Sequence, residues 1–285
     1  MDWVFIPGAI YRWKIELERF ATREFVRPVY ARGKSELAGI DMAVYDIKLT
    51  PPSPDTDGMA YVQGSVFFPS ITGIGLVQNE IDSFYIDITE VTNAAYREFV
   101  EAGGYSDPAY WADAFALAGV EEPFDAVMKR FVDSTQRTGP ATWVLGDLPA
   151  EQEDYPVQGV SWFEAMAYAK YRGKMLPTVY HWARAAFPPI EAGAIVLTPE
   201  MIAYSNLESD GPIAVASTPD MSSAWTYNMA GNVREWCLNE RGGLRYTMGG
   251  KWDEPEYVLF NSIPVDPWDR TDGNGFRCIR ITEGQ

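Results

Sequence analysis

Short helical stretches separated by long Gly- and Pro-punctuated loops, with ten tryptophans spread through them, are what most limits the folds open to this chain. A buried indole or phenol needs apolar surroundings and also a partner for its polar atom. A sequence with 14% aromatic residues and few long periodic segments is therefore expected to let aromatic packing replace extended regular structure. Its 47% hydrophobic content is ample for a sizeable core and excludes a disordered chain.

Three helices carry sequence signals. "TNAAYREFVEAGG" opens on a capping residue, Thr92, sets Ala95, Tyr96, Phe99 and Val100 on one stripe, and ends at Gly103. "SWFEAMAYAKYRG" has an S-x-x-E capping box, Ser161 with Glu164, and Gly173 after its last turn. "PTVYHWARAAF" is capped by Thr178 and stopped by Pro188. Residues 113 to 134 are less regular and read as either a further helix or a lid-like insertion. Near the N-terminus, after a Pro7-Gly8 turn, "AIYRWKIEL", "EFVRPVYA" and "MAVYDIKL" alternate with period two and predict strands. "LTPPSPDTDG" then supplies a Pro- and Asp-rich linker. The expected division is a β segment over 1–50, a linker over 51–57 and a main domain over 58–285.

Inventory removes most chemistries. A net charge of −17 opposes nucleic acid, whose binding draws on clustered Lys and Arg, and opposes polybasic attachment to anionic lipid. No stretch approaches the run of about 20 apolar residues that a membrane span requires. The best candidate, 66–77, is broken by Pro69, Gly73 and Gly75. "MDWVFIPGAIYRWK" lacks the build of a signal peptide. The single histidine, His181, cannot build a multi-His metal site and is expected to serve as a helix-capping or surface residue. The two cysteines, Cys237 and Cys278, have aromatic or β-like neighbours and read as buried thiols or as one mutual disulfide.

Seven phrases carry a family signal: "GMAYVQGSVF", "FYIDITEVTNAAYREFV", "YPVQGVSWFEAMAYAKYRGKMLPT", "HWARAA", "YNMAGNVREWC", "MGGKW" and "NGFRCIR". In this order they resemble the formylglycine-generating enzyme family, also called the sulfatase-modifying factor family. The version nearest in flavour is the one associated with bacterial Ser/Thr kinases. "PGAIYRWKIELERFA" is similar to the middle of a PEGA-type β module, with only its latter half present. The resemblance implies an α+β, C-type-lectin-like fold with little regular secondary structure, preceded by the small β segment. It makes "MAGNVREW" a scaffold signature in which Gly231 and Asn232 shape a turn, Trp236 packs and Glu235 ties down backbone amides.

Enzymes of this family oxidise a substrate cysteine using copper held by two thiolates after the "GG-aromatic" turn. Those positions here fall on Glu254 and Leu259, and Cu(I) prefers sulfur. The resemblance therefore implies no copper and a non-catalytic recognition or sensor domain. The alternative is an oxidoreductase, or another enzyme, reusing the fold through residues such as Asp253, Glu254 and Tyr257. An iron-dependent branch with three histidines is not matched by a chain with one. The expected ligand-facing residues are Trp252, Asp253, Glu254, Tyr257, Trp268, Asp269 and Arg270, suited to a peptide, glycan or protein partner, with Asp269–Arg270 as a local ion pair or as ligand contacts. One structural calcium is expected at Asn206, the Leu207 carbonyl and Asp210. The family context further implies a domain tethered in a larger bacterial protein, outside the cytoplasm.

Overall fold

The computed structural model describes residues 9–29, 47–67, 71–73, 79–187, 198–219 and 222–282. The alternating N-terminal segments form an antiparallel hairpin, β1 (Ala9–Ile15) with β2 (Arg23–Val29), in which Trp13 lies opposite Phe25. The expected turn at Pro7-Gly8 and most of the third strand, 42–46, lie outside the described residues. The hairpin is docked on the body: Val26 is fully buried and its amide donates to the Ser223 carbonyl at 3.1 Å. Residues 51–57 contain a single 3-10 turn, Pro54–Thr56, capped by Ser53.

β3 (Met59–Val62) and β4 (Ser65–Phe67) follow, then β5 (Asn79–Ile81) and β6 (Phe84–Asp87). The helical portion begins with α1 (Asn93–Glu101), whose N-terminus is capped by the Thr92 hydroxyl accepting from Ala95 N–H at 3.1 Å. Its expected stripe is the buried one, with Tyr96 and Phe99 fully enclosed. The irregular segment after it folds as α2 (Ala112–Ala118) and α3 (Phe124–Met128), which bury Phe115, Val127 and Met128. It is an integral helical part of the core. In α4 (Trp162–Tyr171) and α5 (Val179–Ala186) both capping boxes form. At α5 the third position is His181, whose Nδ1 faces the Thr178 hydroxyl at 2.6 Å. The His181 ring meets Phe84 edge-on at 4.8 Å.

After α6 (Thr198–Ala203) the chain forms β7 (Arg234–Arg241), β8 (Leu244–Met248), β9 (Ile263–Val265), β10 (Asn274–Gly275) and β11 (Ile279–Ile281). Four strands order as β10-β7-β8-β9, with β10 parallel to β7. A three-stranded antiparallel sheet orders as β11-β6-β3. The architecture is α+β.

Two hydrophobic clusters fill it. One joins the sheets to α5 through Phe84, Ile86, Trp182, Met248 and Ile279. The other joins α1 to α4 through stacked and edge-on rings, with Tyr96 in contact with Phe99, Trp143, Tyr168 and Phe276. The fully buried tryptophans each find an acceptor, which is what permits indoles to replace long strands here. Trp111 donates to Gly104 O at 2.8 Å, Trp162 to Cys237 O at 3.0 Å, and Trp236 to Val160 O at 2.8 Å. Trp182 is the exception, donating to the Glu235 carboxylate at 2.9 Å.

Candidate functional site

The "NMAGNVREW" signature runs through a turn whose backbone favours glycine and asparagine. Gly231 and Asn232 both have left-handed backbones, φ 80° and 63°. A Cβ at Gly231 would sit 2.2 Å from the Asn206 carbonyl. Loops 206 and 231 can therefore touch only because position 231 has no side chain. Asn232 fills the gap with amide bonds. Its N–H donates to Asn206 O at 2.8 Å, and its Nδ2 donates to Glu90 Oε1 at 2.8 Å.

Glu235 departs from the role expected for it. It binds side chains instead of backbone amides, because β7 points it inward toward Trp182 and toward the guanidinium of Arg277, whose Nε and Nη2 donate at 2.7 and 2.6 Å. Both partners of this pair are buried. Arg277 also donates to the carbonyls of Asp87 and Tyr227. Glu90 is the neighbouring buried carboxylate, held by the amides of Asn228 and Asn232. Burial pushes its pKa up to about 7, partly offset by the attraction of Arg277.

Cys237 and Cys278 are free, buried thiols in different clusters. Burial raises both well above the usual thiol range, Glu235 adding to the effect at Cys237 and Asp87 at Cys278. A thiol held protonated is a poor nucleophile and a poor metal ligand.

The segment after the Gly249-Gly250 turn carries the positions that matter for copper. Gly250 has φ 77°, and a Cβ there would meet Val258 at 2.5 Å. Glu254 is bound by Arg234, whose Nε donates to Oε2 at 3.0 Å while Nη2 reaches Oε1. Oε2 also accepts the Lys251 amide at 2.9 Å. Leu259 is fully buried in the sheet-side core. The residues present do not fit a copper thiolate centre: one position is an occupied carboxylate and the other has no donor atom. The rest of the segment faces outward. Tyr257 is 72% exposed, and Asp253 is exposed with Lys251 Nζ at 2.8 Å. Trp252 is half-buried, its Nε1 without a hydrogen-bond partner and Lys251 Nζ 5.1 Å from its ring.

The second expected cluster has other neighbours. Trp268 packs on Phe163 with centroids 4.1 Å apart and carries the Arg130 guanidinium on its face at 4.3 Å. Asp269 accepts the Thr271 amide at 2.7 Å. Arg270 pairs not with Asp269 but with Glu164, through Nε to Oε2 and Nη2 to Oε1, both at 2.9 Å. That carboxylate also accepts Ser161 N–H at 2.8 Å and Tyr105 O–H at 2.6 Å. The reason is accessibility: Asp269 is satisfied by its own turn, whereas buried Glu164 has lone pairs left after the capping box. Arg234 and Glu164 are the two partners that the sequence reading did not assign to the site.

At the loop expected to hold calcium, the Asn206 amide donates to Gly211 O at 3.0 Å and to Asn232 Oδ1 at 3.1 Å. Leu207 packs beside Gly231 and Gly250, and Asp210 is exposed. Among the described residues no three His, Cys, Asp or Glu side chains converge as metal ligands. Among the same residues no helix is long and apolar enough to cross a membrane.

Residues 58–194 match the sulfatase-modifying factor enzyme 1-like domain. Hercynine oxygenase of Mycolicibacterium smegmatis is 35% identical over 166 residues, 55% of this chain and 37% of that protein. Formylglycine-generating enzyme of Thermomonospora curvata is 28% identical over 68% of this chain and 75% of its own length. A further match, at 27% identity, is serine/threonine-protein kinase pkn1 of Chlamydia pneumoniae, over 72% of this chain and 31% of the kinase. The matches thus span well under half of the hercynine oxygenase and of the kinase. Among solved structures, PvdO from Pseudomonas aeruginosa superposes with a TM-score of 0.52 at 18% identity, over 80% of this chain and 97% of that one. The fold is shared with it, and the match to the sulfatase-modifying factor domain spans just under half of this chain.

Proposed function

We propose that this domain recognises a ligand or partner on the formylglycine-generating scaffold and does not catalyse the family's oxidation. The observation that carries the reading is the state of the two copper positions, Glu254 tied to Arg234 and Leu259 enclosed in the core. Soft Cu(I) finds no thiolate there. The recognition surface is the outward part of the same segment, Trp252, Asp253 and Tyr257. It offers flat apolar area beside a fixed acceptor, a combination suited to a peptide, a glycan or a protein loop. Trp268, Asp269 and Arg270, held by Phe163, the Thr271 amide and Glu164, act as bracing rather than as contacts.

The test is incubation of the protein with a peptide bearing a sulfatase-motif cysteine, copper and oxygen, followed by mass spectrometry. No aldehyde product is expected, while an active formylglycine-generating enzyme converts the peptide in the same buffer. Conversion by this chain would overturn the reading and bring back the oxidoreductase alternative.

The proposal extends to one calcium at the 206–211 turn, with Asn206, the Leu207 carbonyl and Asp210 as oxygen donors completed by water. Thermal stabilisation by calcium that disappears in Asp210→Ala is the expected outcome. It also extends to a role within a larger bacterial protein, outside the cytoplasm. The match to part of a serine/threonine kinase supports the first half of that statement. Protease accessibility in intact cells tests the second.

A further inference from the structure

In a chain with 40 acidic and 23 basic residues, an arginine normally finds a carboxylate close by. The cleft between the β1–β2 hairpin and the body holds one arginine that does not follow that rule. It has a volume of about 340 Å³, and its walls include Tyr61, Tyr85, Trp225 and Tyr227 with Arg12 and Arg23. Arg12 lies 3.6 Å over the Trp225 ring and pairs with Glu24, which also lines the cleft. Arg23 is different. Among the described residues it has no carboxylate partner, and its Nη1 donates to the Lys48 carbonyl. Its guanidinium sits 4.7 Å over the Tyr61 ring, and its Nε is enclosed with no hydrogen-bond partner.

Tyr61 supplies a second, independent observation. It is 9% exposed, its ring meets Tyr85 edge-on at 5.2 Å, and its hydroxyl also has no partner among the described residues. A buried polar atom left unmatched calls for a partner, and two of them on facing residues of one cleft point to a group that could bind both. Behind these two residues a small recess shares Arg23 and Tyr61 and adds Arg27 and Arg184. Arg184 is buried, and among the described residues it donates to neutral oxygens, Ser65 Oγ at 2.9 Å and Gln63 O at 3.0 Å. Burial lowers its pKa to about 9, with Arg27 and Arg23 pushing the same way, so the three guanidinium groups feel one another.

We propose that this cleft binds a small organic anion carrying a flat ring, its carboxylate or phosphate held by Arg23 Nε and the Tyr61 hydroxyl and its ring set against Tyr85 and Tyr227. A planar guanidinium is suited to both kinds of anionic group, and the aromatic walls favour a ring over an aliphatic tail. The volume, at the low end for ligand pockets, limits the ring system to one or two rings. The site shares no residue with the 252–257 surface, so either proposal can fail without the other.

The experiment is isothermal titration of the full chain with benzoate, phenyl phosphate, inorganic phosphate and neutral benzamide at constant ionic strength. At least one ring anion is expected to bind saturably with one site per chain, and inorganic phosphate and benzamide to bind about tenfold more weakly or not at all. Whether benzoate or phenyl phosphate wins identifies the anionic group. Arg23→Gln is expected to weaken the ring anion by about tenfold or more, and Tyr61→Phe, which keeps the ring, by several-fold. Near-UV circular dichroism checks that both variants keep the native fold. If Arg23→Gln is misfolded, Tyr61→Phe decides alone. Absence of saturable binding by both ring anions overturns the proposal. So does equal binding by benzamide, or unchanged affinity in natively folded variants.

Discussion

Residues 251–257 and 266–270 have the same composition on paper, tryptophan and acids beside a basic residue, yet the fold uses them in opposite ways. The first segment satisfies its charges among near neighbours, Lys251 with Asp253 and Glu254 with Arg234 across the turn. That leaves Tyr257 free to face outward. The second segment reaches across the molecule. Arg270 finds Glu164 and the carbonyls of Arg130 and Gly139, and Trp268 closes over Phe163. Side-chain type does not separate a contact surface from a brace. What separates them is whether an unfilled buried acceptor lies within reach.

The sharpest way to break this comparison is Arg270→Ala. It leaves Glu164 fully buried without its cation, and a loss of about 3–5 kcal/mol is expected in urea unfolding. A loss below about 1 kcal/mol would mean that Arg270 is no brace and returns to the ligand face. Glu90 extends the comparison to a buried carboxylate held by amides alone. Its folded pKa of about 7 lies above the ordinary carboxyl value of 4.5, chiefly through burial. The native state therefore keeps a proton that the unfolded chain releases. The stability this contributes is complete below about pH 4.5 and is lost as pH rises through 7, on the order of 3 kcal/mol. His181 acts in the other direction: burial depresses it to about 4, so its contribution is present above 6.5 and is lost as pH falls toward 4. Stability curves of wild type and Glu90→Gln between pH 5 and 7.5 separate the two. The variant should lose the downward slope with rising pH and retain the His181 rise, and parallel curves would refute the assignment.

Smaller effects belong to the outward segment. Glu254→Ala breaks a mostly enclosed pair and a Lys251 amide contact, and about 1–2 kcal/mol is expected from the same unfolding assay. Tyr257→Ala should change stability by less than about 0.5 kcal/mol while weakening whatever the surface holds, read by titration of a captured partner. A cost comparable to that of Arg270→Ala would move Tyr257 from surface to frame.

Local rules carried the helices far. Thr92, the Ser161–Glu164 box and Thr178 with His181 mark helix starts that the structure reproduces, because caps depend on residues three apart. The stripe containing Tyr96 and Phe99 likewise marks the face that is buried. The 113–134 segment stayed ambiguous because its helices are short, and their apolar residues meet α4 instead of forming one long stripe. At the candidate site, the residue types at 254 and 259, a carboxylate and a leucine, are legible in the sequence itself. The Arg234–Glu254 and Arg270–Glu164 pairs were not, since their members are far apart in sequence. A signal did exist in Glu164: its capping duty uses only part of a carboxylate, and a buried carboxylate with spare lone pairs demands a donor. Glu235 was misread for a related reason, because nothing local says that Arg277 is its partner.

The sheet ordered β11-β6-β3 brings Met59 and Ile281 to either side of one central strand. During synthesis, β6 acquires β3 at once but must wait for nearly the whole remaining chain before β11 can close its other edge. Until then Phe84 and Ile86, both fully buried in the finished molecule, lack part of their cover. A ribosome-bound chain truncated before Ile279 should therefore be a target for chaperones and proteases.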